Sequence, residues 1–171
     1  WLFTYRTLNR LQSTGEMARA FKLGLIHRLR SFKEESADAV IARQLDVPVG
    51  TPIIVLERLW YQEDVPIIYS IDSFPRSVAD FEEYGPDMFS GEDFSLFAFL
   101  EENLGLEISW GIATIMPVLD AGEICPDLAQ DGKTAFLLLE QVHYLSDDTP
   151  VLYCKDFLRG DSLKVRVMRK R

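Results

Sequence analysis

The sequence predicts an α+β fold: one antiparallel β-sheet, built from two repeated hairpins, with helices on one face. The first observation behind this is the stretch 51–74, TPIIVLERLWYQEDVPIIYSIDSF, in which two apolar, β-branched and aromatic runs flank the polar turn Gln62-Glu63-Asp64. The second is that the chain contains this pattern twice. Residues 134–158, TAFLLLEQVHYLSDDTPVLYCKDFL, repeat it with one extra turn residue, so that Leu56 matches Leu139, Glu57 matches Glu140 and Tyr61 matches Tyr144. Past the turn, Pro66 matches Pro150, Tyr69 matches Tyr153 and Asp72 matches Asp156. Two copies are too few for a solenoid, but they suit a pseudo-symmetric sheet with a crevice between its halves. The third observation is that helical periodicity is sparse, and hairpins favour antiparallel pairing.

Taken in order, residues 1–12 read as a lead-in, aromatic and basic without clean periodicity. Ser13 and Glu16 stand at capping-box spacing for a short helix through Ala20. Residues 21–33 alternate as a strand, and His27 within it reads as an ordinary strand residue. Ala37, Val40, Ile41 and Leu45 share one helical face behind an expected N-cap at Ser36, and the helix ends before Pro48 and Gly50. After the first hairpin, Pro75, Gly85, Pro86 and Gly91 mark a loop-rich connection. Ser90 and Asp93 stand at capping-box spacing for a helix through Phe97, Leu100 and Leu104 that Gly105 ends. Residues 106–118 read as a strand closed by Pro117. A short helix is expected over 120–128 to mirror the one at 36–45, although Pro126 sits badly inside it. The second hairpin follows, then a turn at Gly160-Asp161 and a last strand over 163–168.

The length of 171 residues allows one sizeable core, and 47% hydrophobic with 26% charged residues is an ordinary globular balance. A net charge of −9 argues against this chain gripping a phosphate backbone by itself. The basic end from Lys164 to Arg171 reads as a solvated edge. No apolar run approaches the roughly 20 residues of a membrane span, and no secretory signal opens the chain. The two cysteines, Cys125 and Cys154, form no metal-ligand spacing and read as reduced thiols in a cytoplasm.

Little in the sequence reads as catalysis. There is no Gly-rich phosphate loop, no nucleophile elbow and no zinc-protease motif, and His27 and His143 are the only histidines. No cofactor is expected. Arg58 is the notable charge: it lies between apolar neighbours in the first hairpin strand, on the face opposite Glu57. It reads equally as a planar fork for a carboxylate or phosphate and as the partner of a surface Glu. Its counterpart in the second copy is Gln141, so the repeat breaks symmetry in charge.

The run from Ala42 and Leu45, through Gly50 and Pro52, to Leu56-Glu57-Arg58-Leu59 and Pro66 resembles the UTRA domain of HutC-type regulators in the GntR family. The resemblance continues at Ser95-Leu96-Phe97, at Leu100-Glu101 with Leu104-Gly105, and at Arg159-Gly160-Asp161. Leu8-Asn9-Arg10-Leu11 with Ser13 resembles the linker that follows the DNA-binding domain. The resemblance implies a chorismate-lyase-like fold and a homodimer. It also implies a small-molecule metabolite effector, and DNA contact only through a winged helix-turn-helix N-terminal to this chain. It divides the chain into a lead-in at 1–20 and a sensing domain at 21–171. Where relatives sensing phosphosugars resemble an Arg-x-Arg pattern, this chain has Arg58-Leu59-Trp60. Their acidic residue falls at Ser70, their Glu and Ser at Leu152 and Cys154, and their Tyr residues at Phe97 and Leu158. The expected ligand-binding set is therefore Arg58, Trp60, Ser70, Ser95, Phe97, Leu152, Cys154 and Leu158. Such a site, with one cation and much apolar surface, would suit an apolar carboxylate. The alternatives are a chorismate-lyase-like enzyme and a dimerisation module with a degenerate pocket.

Overall fold

The computed structural model describes residues 4–7, 11–20, 22–78, 84–91, 94–119, 124–128 and 134–166. A six-stranded antiparallel sheet forms its centre. The strands are β2 (Leu25–Ser36), β3 (Pro52–Gln62), β4 (Val65–Pro75), β5 (Trp110–Val118), β6 (Phe136–Tyr144) and β7 (Pro150–Arg159), in the order β2-β3-β4-β7-β6-β5. The two repeated hairpins are β3–β4 and β6–β7. Their second strands meet at the middle of the sheet, and each half adds one outer strand, β2 or β5. A separate two-stranded parallel ladder joins β1 (Thr4–Thr7) to β8 (Leu163–Arg166). The lead-in is thus tied back to the end of the chain.

The β4–β7 register reveals the symmetry. Ser70 pairs with Asp156, Ile71 with Lys155, and Asp72 with Cys154. Because Ser70 is the counterpart of Cys154 and Asp72 that of Asp156, the first and last pairs exchange under a half-turn about the Ile71–Lys155 pair. The repeat seen in the sequence is a pseudo-twofold axis through the sheet.

Alternation along the strands divides the core. On one face, Ile54, Leu56, Phe74, Leu152 and Cys154 pack against Leu96, Phe99 and Leu100 of helix α3 (Leu96–Leu104). On the other, Ile53, Val55, Val142 and Tyr153 pack against Ala42 and Leu45 at helix α2 (Ala39–Gln44). Leu59, Tyr69, Phe136 and Phe157 cover Cys125 and Leu128 on that same side. The single antiparallel sheet is as expected, but the helices divide between both faces. Leu45 leads into Ile53 and Val55, whose side chains point away from the face that holds Leu56.

Local signals explain the helix ends. Helix α1 (Thr14–Ala20) begins in the expected capping box: the Ser13 N–H donates to Glu16 Oε2 at 3.0 Å and the Glu16 N–H to Ser13 Oγ at 3.2 Å. Asp38, not Ser36, caps α2, accepting from the N–H groups of Val40 and Ile41 at 2.9 and 2.8 Å. Ser36 belongs to β2, where it pairs with Pro52. Ser95, not Ser90, caps α3. Gly105, at φ 68°, closes α3: its N–H bonds Glu101 O, and the Leu106 N–H bonds Leu100 O. Residues 124–128 form turns without a helix, consistent with Pro126, and the remainder of the helix expected over 120–128 lies outside the described residues. Asp93 also lies outside them.

Candidate functional site

The half-turn brings the polar residues of both hairpins onto the α3 face, around the middle of the sheet. Arg58 projects from β3 and Asp72 from β4, and Nη2 donates to Asp72 Oδ2 at 2.5 Å, both side chains being 5% exposed. At the equivalent place in the other half, Gln141 on β6 donates to Asp156 Oδ2 on β7 at 3.4 Å. The two halves are then cross-linked. Ser70 Oγ donates to Asp156 Oδ1 at 2.5 Å, and by the same geometry the Cys154 thiol hydrogen-bonds Asp72. Burial, with Asp72 and Asp156 alongside, pushes the Cys154 thiol well up, so it stays protonated and donating. Trp60 Nε1 donates to Ser70 Oγ at 3.0 Å. Its counterpart His143 stands edge-on to Phe97, with ring centroids 4.9 Å apart.

The cluster has a roof. Thr14 Oγ1 reaches Asp156 Oδ2 at 3.4 Å, Ser13 Oγ lies 3.0 Å from Ser95 Oγ, and Ser95 Oγ donates to Glu16 Oε1 at 3.4 Å. The first turns of α1 and α3 are therefore fastened together above the sheet. Gly15 makes this approach feasible, since a Cβ there would meet Phe94 O at 2.9 Å and the Trp60 ring at 3.4 Å. Gln12, Ser13, Thr14, Leu96 and Phe97 from the roof, with Arg58, Asp72, Gln141, His143, Cys154 and Asp156 from the sheet, enclose a cavity of about 20 Å³. That is room for about one water molecule. The guanidinium of Arg58 also lies over Trp60 and Phe94, at 5.4 and 5.6 Å from the ring centroids. Its buried Nε–H has no hydrogen-bond partner among the described residues. A donor so placed is costly to leave unmade and is an anchor for an acceptor. His27 packs beside it, 4.9 Å from Trp60, and burial with the nearby Arg58 charge lowers its pKa.

The model for the UTRA domain family matches residues 24–164. The chain belongs to the UTRA domain family. Over 149 residues this UTRA domain is 27% identical to the HTH-type transcriptional repressor PhnF of Mycolicibacterium smegmatis, covering 86% of the chain and 59% of the relative's length. The chain thus spans about three-fifths of that curated relative. Its fold matches the crystal structure of the effector domain of PhnF from Mycobacterium smegmatis with a TM-score of 0.86 at 24% identity, covering 98% of this chain and 100% of the other. It also matches the ligand-binding domain of a putative GntR-family regulator from Bordetella bronchiseptica with a TM-score of 0.77 at 18% identity, over 85% and 91% of the two chains.

Of the eight side chains expected in the site of this UTRA domain, Arg58, Phe97 and Cys154 line the cavity. Ser70 lies one hydrogen bond behind it and Trp60 two, and Ser95 belongs to the roof. Leu152 and Leu158 do not line it. Leu152 is packed with Leu56, Phe99 and Leu100, and Leu158 with Trp60, Leu139 and Leu163. The enclosed surface is accordingly more polar than expected. Sequence reasoning did not place Asp72, Asp156, Gln141, Ser13, Thr14 and His143 in the site. The repeat was the signal for four of them: Asp72 and Asp156 match one another, Gln141 matches Arg58, and His143 matches Trp60.

Proposed function

We propose that this UTRA domain is the effector-sensing, homodimeric part of a bacterial GntR-family transcriptional repressor. It works in the cytoplasm and without catalysis, and DNA is held by a winged-helix domain outside these residues. The effector is a small metabolite with an anionic group for Arg58 and hydroxyl or amide groups for Asp72, Asp156 and Gln141. That revises the apolar carboxylate expected from the sequence, because Leu152 and Leu158 face packed core and the lining is polar. The observation that carries the reading is the buried Nε–H of Arg58 at a cavity enclosed by charged and amide side chains.

A cavity of about 20 Å³ holds no metabolite, so binding requires the roof to lift. Residues 12–14 are held over the sheet by Thr14–Asp156 and Ser13–Ser95, two hydrogen bonds whose net worth is about 1 kcal/mol each. A ligand that replaces them shifts the chain leading into α1, and hence whatever precedes it. It does so only by the difference in its affinity for the two arrangements. The test is a thermal-shift screen of anionic metabolites on the wild-type chain and on Arg58→Ala. A ligand at about 100 times its dissociation constant adds about 2.7 kcal/mol, a rise of several degrees for a domain of this size. Loss of that rise in Arg58→Ala supports the site. An unchanged rise rejects it.

A further inference from the structure

Two buried nitrogen atoms that have no hydrogen-bond partner among the described residues lie against the same two rings. One is Arg58 Nε and the other is Nδ1 of His27, a residue 3% exposed. In the β2–β3 ladder Leu29 stands opposite Arg58 and His27 opposite Trp60. His27 and Arg58 therefore share the α3 face as diagonal neighbours, about 7–8 Å apart at the backbone. The His27 ring is 4.9 Å from Trp60 and 6.1 Å from Phe94, the two rings that also face the Arg58 guanidinium. The other ring nitrogen fixes the tautomer. Nε2 is 3.2 Å from Phe89 O, a carbonyl that only accepts, so Nε2 carries the hydrogen and Nδ1 of the neutral ring is a bare lone pair. Burial and the Arg58 charge favour that neutral form, and Asp72 opposes them. Of the elements around the ring, β3 and β4 contribute those two charges. The segment before α3 presents Phe89 and Phe94, and α1 turns Glu16 to Ser13 and Ser95.

An N–H donor and a lone pair side by side suit a plain anion badly, because it satisfies the first and repels the second. One proton removes the mismatch. With Nδ1 protonated, both nitrogens donate toward one acceptor while Nε2 keeps Phe89 O. There is also room beside them. On the β2 side of Trp60 and Phe94 a hollow of about 230 Å³ is lined by Gly15, Ala18, Leu25 and Ile26, with exposed Arg19 and Lys22 at its rim. Gly15 brings α1 down onto Phe94 O and the Trp60 ring. Lifting α1, which binding at Arg58 already requires, therefore opens this hollow and the polar cavity to one another. We propose that His27 is a second anion-binding group of the effector site, and that the effector's acidic group enters between Arg58 Nε and His27 Nδ1 together with one proton. A fully ionised oxyanion takes that proton from water onto Nδ1. An oxyacid that keeps an acidic hydroxyl brings its own and donates it to the Nδ1 lone pair. The proposal rests on the effector site at Arg58 proposed above, but not on which metabolite fills it.

Inorganic sulfate is the probe, because it stays doubly ionised near neutral pH and any proton taken up is then the protein's. The 171-residue chain is titrated with it from about pH 8 to 6 at constant ionic strength, reading both affinity and the imidazole resonances of His27 and His143. The expected result is that sulfate raises the pH at which the His27 ring titrates. Between the free and bound titration points the affinity falls about tenfold for each unit rise in pH, the slope of one proton. His27→Gln should bind more weakly at the acid end and show a flat profile. The resonances are read on the wild-type chain, so this part of the test does not depend on how a variant folds. Sulfate that binds through Arg58, as shown by its loss in Arg58→Ala, but leaves the His27 ring and the pH profile unmoved overturns the role of His27 and keeps the effector site. A slope that persists in His27→Gln assigns the proton to another group and overturns the proposal as well. Failure of sulfate to bind at any of these pH values overturns it too, since the paired nitrogens then attract no oxyanion. Binding that Arg58→Ala leaves unchanged overturns the site at Arg58 together with the proposal.

Discussion

Replacing Asp72 with Asn tests the account of the cluster through its energetics. The variant keeps the shape of the side chain and removes its charge, leaving Arg58 buried without its counter-ion. Both members of the pair are 5% exposed and 2.5 Å apart, and stripping one partner from such a pair costs about 3–5 kcal/mol. At roughly 2–4 °C per kcal/mol for a domain of 150–250 residues, the melting temperature falls by roughly 6–20 °C. The chain contains its own control. Arg76 and Glu34 are 2.7 Å apart but 41% and 53% exposed, and Glu34→Gln should cost no more than about 1 kcal/mol. Chemical denaturation of both variants, with the double variant Arg58→Met/Asp72→Asn, completes the test. The double variant should recover part of the loss, because it removes the unpaired guanidinium while Asp156 stays in the cluster, bonded to Ser70 and Gln141. Equal costs for Asp72→Asn and Glu34→Gln would refute the claim that the central pair is desolvated and holds the two halves of the site in place.

Gly111→Ala is expected to cost about 1–3 kcal/mol in a melt, since its Cβ forces His143 or the strand to move; no change would mean that β5 does not bear on the His143 ring. Ser13→Ala removes both the α1 cap and the bond to Ser95. A loss of about 0.5–2 kcal/mol is expected, seen as faster hydrogen exchange in α1 with little change in the sheet. His27 gives a pH signature. Its pKa is lowered by burial and by Arg58, so the unfolded chain binds the extra proton and stability rises with pH through the region just below the ordinary value of 6.5. Between about pH 7.5 and 5.5 the wild type should lose stability faster than His27→Gln, and parallel curves would show that His27 is not the group responsible.

The sheet was legible because its strongest signal is local and repeated. The apolar runs of β3, β4, β6 and β7 and the polar turns between them sit close together in sequence. The Ser13–Glu16 box and Gly105 were equally legible, each acting over a few residues. The face on which α2 packs was not. It depends on whether an odd or an even position follows the loop at 46–51, and one residue either way exchanges the faces. The site was half legible for a related reason. Arg58 stands out as a charge in an apolar strand, but its partner Asp72 is chosen by the register of β3 on β4. Asp156 and Cys154 join only because β4 and β7 meet at Ile71 and Lys155. The resemblance to the family's motifs suggested Leu152 and Leu158 by position, and in the structure both are packed in core clusters.

The central claim is that a metabolite binds beneath α1 against Arg58. The most direct measurement is the indole N–H resonance of Trp60 during titration with anionic metabolites. That N–H is bonded to Ser70 inside the cluster, whereas the indole of Trp110 is bonded to Asp148 at the sheet edge. Binding beneath α1 is expected to shift the Trp60 resonance together with the amides of residues 12–16. A panel in which binders move only Trp110 or the α2 face, with Trp60 and residues 12–16 unchanged, would contradict it.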